Sequence, residues 1–163
     1  MSVHLRPATT ADRQAILGLM RSGDYNRTNL RPSCFLVAEA AGNTAGTNAV
    51  IGIGQVKRHW DGTPELASLV VAEAYRGQGI GEAIVQALVE RHFAKQASEP
   101  LYLFCLSTLA TYYQRFGFRC VERRHLPWPL RLMHWLGNTL GQLVTRFGST
   151  PFAVVAMRID AQP

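Results

Sequence analysis

Arg76-Gly77-Gln78-Gly79-Ile80-Gly81 decides how this chain is read. The stretch lies between an apolar run, Leu66-Ala67-Ser68-Leu69-Val70-Val71, and a helical run from Glu82 to Ala94. A strand runs into a glycine-rich turn, and the turn opens a helix. The leading N–H groups of a helix lack an internal partner and carry the positive end of its dipole. Glycine has no Cβ and admits a phosphate close to that backbone. Two common phosphate loops are excluded. No Lys-Ser or Lys-Thr pair follows the glycines, as a Walker A loop requires. The third glycine stands one residue too early for a dinucleotide fingerprint, with Glu82 in its place. The pattern fits a pocket for a phosphorylated ligand and, equally, an ordinary strand-to-helix turn.

At 163 residues and 18.1 kDa the chain is expected to form one domain with a real core. Hydrophobic content of 47% against 17% charged fits a soluble globular protein rather than a disordered one. The net charge of +6 comes almost wholly from arginine, since Lys57 and Lys95 are the only lysines. This balance favours anionic partners such as phosphates, acidic metabolites or anionic lipid. Nucleic acid is not expected, because no binding motif or dense basic helix is present. Cys34, Cys105 and Cys120 form no C-x-x-C and are expected as buried free thiols in a reducing compartment. The histidines (His4, His59, His92, His125, His134) are scattered, so no metal site is expected. His59 is expected on the surface rather than lining a pocket. No stretch looks like a leader or a membrane-spanning helix, which makes the cytoplasm the expected location.

The periodicity predicts strands over Val3–Arg6, Phe35–Glu39, Ala49–Trp60, Glu65–Val71, Leu101–Leu106, Phe118–Arg123 and Phe152–Ile159. Helices are expected over Ala11–Ser22, capped by Thr9 or Thr10, and over Glu82–Ala94 and Thr108–Phe116, the last stopped by Gly117. A helix or loop is expected over 24–31 and a hairpin turn over 41–48. Gly52 and Gly54 are read as loosening their strand. The apolar character of Glu65–Val71 predicts burial on both faces.

Arg-Gly-x-Gly-Ile-Gly after an apolar strand resembles the acetyl-CoA pyrophosphate loop of the GNAT acetyltransferase superfamily. Ala110-Thr-Tyr112-Tyr113-Gln-Arg-Phe-Gly117-Phe118 resembles the family's second signature, whose catalytic tyrosine precedes the glycine by four residues and so falls on Tyr113. The resemblance implies an α/β fold with a central twisted sheet of about six to seven strands flanked by helices. It implies an N-acetyltransferase that uses acetyl-CoA and an amine acceptor, with no metal. Arg76, Gly77, Gln78, Gly79, Ile80 and Gly81 would hold the pyrophosphate. Leu69, Val70 and Val71 would line the thioester, with a backbone N–H near Val71 polarising its carbonyl. Tyr113 would protonate the leaving thiolate, and Glu65 stands where some members place a general base. Ser107 occupies the place of a family asparagine that contacts the pantetheine arm. Cys105, in an apolar setting, is not required as a nucleophile.

Leu106-Ser-Thr…Tyr-Tyr-Gln-Arg-Phe-Gly-Phe-Arg with Leu126-Pro127 is also similar to N-acetylglutamate-synthase-type acetyltransferases. That similarity implies an amino acid or a similar α-amino acceptor, and that subgroup often has Phe where Tyr113 stands. The family pattern leaves residues 124–150 unexplained. There Pro129 suits the first turn of an amphipathic helix, with Leu132, Trp135, Leu136, Leu140, Leu143, Val144 and Phe147 on one face. Three readings stay open for this insert: a core cover or homodimer interface, a lid on the acceptor site, and contact with a membrane surface through 126–147. The alternative to an enzyme is a non-catalytic acyl-CoA-sensing or membrane-associated module using the same pocket.

Overall fold

A computed structural model of the protein describes residues 3–21, 31–40, 49–133 and 153–161. In chain order its elements are β1 (Val3–Pro7), α1 (Arg13–Arg21), β2 (Phe35–Ala40), β3 (Ala49–Arg58), β4 (Pro64–Val71), α2 (Ile80–Lys95), β5 (Leu101–Leu106), α3 (Ala110–Gln114), β6 (Arg119–Cys120) and β7 (Val154–Ile159), with short 3-10 turns between them. The fold is mixed α/β, with seven strands and flanking helices, as the sequence led us to expect. The chain groups into two compact units, Met1–Lys57 with Leu66–Ala94, and Arg58–Glu65 with Lys95–Pro163.

In the first unit the strands are ordered β1-β2-β3-β4. β1 and β2 pair antiparallel, with Val3 opposite Ala40 and Pro7 opposite Leu36. β2 and β3 also pair antiparallel, with a bulge between Ala38 and Glu39. The apolar side of α1 supplies Ile16 and Met20 to a core that includes Phe35, Val37, Ile53 and Val70. Thr9 precedes the helical turn, and its N–H donates to the Asp12 carboxylate at 2.6 Å. Arg6 reaches the same carboxylate with two bonds of 2.8 Å and also pairs with Glu39, tying β1 to β2 and to the start of α1.

The glycines of β3 do not loosen the strand. A Cβ on Gly54 would stand 2.7 Å from Ile84 Cγ2 and 2.9 Å from Leu88 Cδ1, and one on Gly52 would stand 3.0 Å from Ile84 Cδ1. The missing side chains are what let α2 lie close on this strand. The helix meets it with Ile80, Ile84 and Leu88, one turn apart on a single buried face.

In the second unit the order is β5-β7-β6. β5 and β7 pair antiparallel from Leu101 opposite Ile159 to Leu106 opposite Val154. Tyr102, Leu126, Leu130 and Ala156 form its core, with Phe104 and Val121 packed against them. The expected strand over Phe118–Arg123 shrinks to Arg119 and Cys120 opposite Arg158 and Met157. Glu122, Arg123 and Arg124 offer no apolar side chain in alternation to bury, and the chain turns into a 3-10 turn at Arg123–His125. Cys120 is therefore exposed and Cys34 half-buried, and only Cys105 is the buried thiol expected of all three.

Residues 128–133 are helical, with Pro129 in the first turn as its ring suggests. There Leu130 is buried, and Leu132, on the face read as apolar, is 43% exposed. Trp128 and Trp60, both exposed, meet edge to face with ring centroids 5.3 Å apart. The segments 22–30, 41–48 and 134–152 lie outside the described residues, and with them the expected helix or loop, the hairpin turn and most of the insert. Among the described residues no helix is long and apolar enough to cross a membrane.

Candidate active site

The glycine-rich segment leaves β4 through a 3-10 turn at Glu73–Tyr75 and enters α2 at Ile80, so Ile80 and Gly81 already belong to the helix. Gly77 (φ 75) and Gly79 (φ 77) take left-handed backbone conformations, which strain any residue with a Cβ. A Cβ at either position would meet nothing within 4 Å. These glycines are thus demanded by the backbone path, and the space above them is open. The first helical bond runs from Ala83 N–H to Gly79 O at 3.0 Å, so the N–H groups of Ile80 and Gly81 precede the ladder. Residues 76–79 are exposed while Ile80 is buried, which anchors the loop and leaves its backbone accessible. Arg76 folds back, and its Nε–H donates to Val71 O at 3.1 Å. The turn therefore joins two of the expected site residues, Arg76 and Val71.

β4 departs from the expectation of burial on both faces. Val70 is buried, but Ala67, Ser68, Leu69 and Val71 are half-buried. Ser68 has φ 55, the only positive φ outside glycine among the described residues. Such a conformation costs on the order of 1–2 kcal/mol and is held only where neighbours fix it. The neighbour here is Gln55 on β3, 6% exposed, whose Nε2–H donates to Ser68 Oγ at 2.9 Å. Neither residue was singled out in the sequence. The signal available was a polar Ser interrupting an apolar strand.

Glu65 is buried rather than solvated. Its Oε2 lies 2.5 Å from His59 Nε2, and the two side chains are 7% and 10% exposed. His59 was expected at the surface; instead it faces Glu65 across the Asp61–Pro64 turn. The recognised turn held the missed signal, because a tight turn makes the residues flanking it neighbours.

Tyr113 is buried, its ring edge to face with Phe118 (6.2 Å) and with Tyr112 (5.0 Å). Tyr112 is half-buried under the Arg115 guanidinium, 5.0 Å from its ring centre, and its ring still touches that of the buried Tyr113. Ser107 is exposed, and its N–H donates to Ala153 O at 2.9 Å. Burial pushes the Cys105 thiol up to about 11, so it stays protonated and unreactive at neutral pH. A surface depression of about 450 Å³ bounded by Arg119, Val121, Arg158 and Asp160 contains none of these candidates. Among the described residues no group of three His, Cys, Asp or Glu could hold a metal.

No curated protein matches the chain in sequence. Solved structures do resemble it. N-acetylglutamate synthase from Neisseria gonorrhoeae, complexed with coenzyme A and N-acetyl-glutamate, superposes with a TM-score of 0.71 at 17% identity, covering 100% of this chain and 36% of the synthase chain. This chain thus spans about a third of that enzyme's length. Rv2747 from Mycobacterium tuberculosis, in complex with CoA, gives 0.69 at 21% identity, covering 98% of this chain and 99% of its own. Arabidopsis thaliana NAA60, with a bisubstrate analogue, gives 0.64 at 16%, covering 99% and 100%. At these identities the likeness is one of fold. The alternative of a sensing or membrane-associated module gains no support from them. Residues 31–120, more than half of the chain, match the model of the acetyltransferase (GNAT) domain. That stretch contains the glycine loop, Glu65 and Tyr113, and the chain belongs to the GNAT acetyltransferase family.

Proposed function

We propose that the protein is an N-acetyltransferase that moves the acetyl group of acetyl-CoA directly to a primary amine. The observation that carries this reading is the exposed loop at the head of α2. Its two left-handed glycines and the leading N–H groups of the helix suit a pyrophosphate. Arg76 through Gly81 hold the diphosphate, and Leu69, Val70, Val71 and Ser107 contact the rest of the thioester. A backbone N–H near Val71 polarises the carbonyl as charge develops on its oxygen.

Glu65 takes a proton from the acceptor as its nitrogen bonds to the carbonyl carbon. The carbon–sulfur bond breaks, and Tyr113 gives its phenolic proton to the departing sulfur. The proton on Glu65 returns through solvent to Tyr113, so acetyl-CoA and amine become acetamide and CoA thiol with both groups restored. No covalent enzyme intermediate is needed, which agrees with the inert setting of Cys105.

Amines of amino acids and peptides are the first acceptors to test. N-acetyl-glutamate occupies the gonococcal synthase with coenzyme A, and a NatC complex binds a Gag peptide with CoA. The test is CoA release from acetyl-CoA across amino acids, polyamines, aminoglycosides and peptides, with products identified by mass. One acceptor gaining 42 Da, a single acetyl group, establishes class and substrate together. Acetyl-CoA binding without release across the panel overturns the reading.

A further inference from the structure

The hairpin that carries Glu65 is built around His59. We propose that His59 is a positioning residue for Glu65, holding the carboxylate in place to take the acceptor's proton; this rests on the reading of Glu65 as the base. The pair is close, with 2.5 Å between Nε2 and Oε2, and both side chains are almost enclosed. A buried carboxylate is costly unless donors face it, and an imidazole N–H makes a charge-assisted bond.

The main chain that carries the imidazole is itself held by backbone bonds. The His59 N–H donates to Thr63 O and the Gly62 N–H donates to His59 O, each at 2.9 Å. The Asp61 carboxylate accepts from the Thr63 N–H (2.9 Å) and hydroxyl (2.8 Å), which locks the turn between the two partners. Next to His59, Arg58 donates to Gly62 O at 2.7 Å and forks onto Glu99 at 2.9 and 2.6 Å. The backbone that carries the ring is thus pinned on both sides, and the ring fixes one oxygen of Glu65. Loss of such positioning costs rate rather than cofactor affinity. The surface expected of His59 gives no reason for this burial or for this partner.

The test is a double-mutant cycle on purified protein, with CoA release from acetyl-CoA and the amine panel above as acceptor. The variants are His59→Ala, His59→Gln, Glu65→Gln and the His59→Ala/Glu65→Gln pair, each with its melting temperature. Glu65→Gln is expected to lower kcat roughly 100-fold and His59→Ala roughly 10-fold, with KM for acetyl-CoA unchanged. Because His59 acts through Glu65, the double variant should be no slower than Glu65→Gln alone. His59→Gln, whose amide can donate from nearly the same place, should recover most of the loss. His59→Leu, which fills the space without a donor, replaces the alanine if that variant fails to fold.

Multiplicative losses in the double variant overturn the proposal, as does a parental rate for His59→Ala beside a slow Glu65→Gln. A parental rate for Glu65→Gln overturns the assignment of the base itself. No CoA release by the parent overturns the transferase reading beneath both.

Discussion

Gln55 donates its amide N–H to the Ser68 hydroxyl at 2.9 Å, and Ser68 sits in a left-handed backbone in the middle of β4. The bond joins a buried polar group on one strand to a strained residue on another. Ser68→Ala keeps the strain and leaves a buried amide without that acceptor. It is expected to cost about 1–3 kcal/mol, read from urea unfolding. Ser68→Gly loses the same bond but relieves the left-handed strain and should cost less. Equal losses in the two variants would mean that φ 55 carries no cost.

Gly54→Ala probes the approach of α2 to β3. The added methyl would lie 2.7 Å from Ile84 Cγ2 and 2.9 Å from Leu88 Cδ1, inside any real contact distance. The expected loss is about 1–3 kcal/mol. Pairing it with Ile84→Val, which thins the facing side chain, should return part of that loss. An unchanged unfolding midpoint for Gly54→Ala would show that the helix can shift at no cost.

Tyr113→Phe keeps the ring against Phe118 and removes only the hydroxyl. The melting temperature and the affinity for CoA should hold, while kcat falls roughly 100-fold if Tyr113 is the acid. An unaltered kcat ends that assignment without touching the fold.

Asp12 is held well below the usual carboxylate range, chiefly by the bonds from Arg6, with the Thr9 N–H and hydroxyl adding to it. A depressed carboxylate contributes stability that is complete above its unfolded value, near pH 4, and is lost as pH falls below that. Asp12→Asn keeps an acceptor for the Thr9 N–H but loses the charge that faces Arg6, and should cost about 1–3 kcal/mol at neutral pH. Its unfolding midpoint should also fall less steeply than the parent's below pH 4. Parallel acid profiles would remove Asp12 from the account.

The three thiols should separate in a disulfide-exchange titration at pH 8. Cys120 is exposed and reacts first, whereas Cys105, pushed up to about 11 by burial, stays silent until the chain is unfolded. Rapid labelling of Cys105 in the folded protein would contradict its burial.

Much of the fold was legible because its signals are local. The glycines at 77 and 79 mark a backbone path that other residues resist, and Ile80, Ile84 and Leu88 repeat at one helical period. Long-range features were not legible. Gly52 and Gly54 read as weak points in a strand because the residues that need their space, Ile84 and Leu88, lie some thirty positions away. Gln55 and Ser68 are thirteen positions apart and carry no motif. Glu65 was singled out from family position, but its burial and its imidazole partner follow from the turn geometry, which sequence periodicity does not encode.

The hairpin between His59 and Glu65 also constrains how this gene region can vary in length. Exposed Trp60 can change identity with modest effect, whereas Asp61, Gly62 and Thr63 carry the bonds of the turn. A single inserted or deleted residue there would displace every following side chain of β4 by one position and turn Glu65 to the opposite face. All the chemical groups would remain in the chain, yet the pair would no longer meet. In this segment the spacing is the specification, and relatives that keep both residues should keep the distance between them.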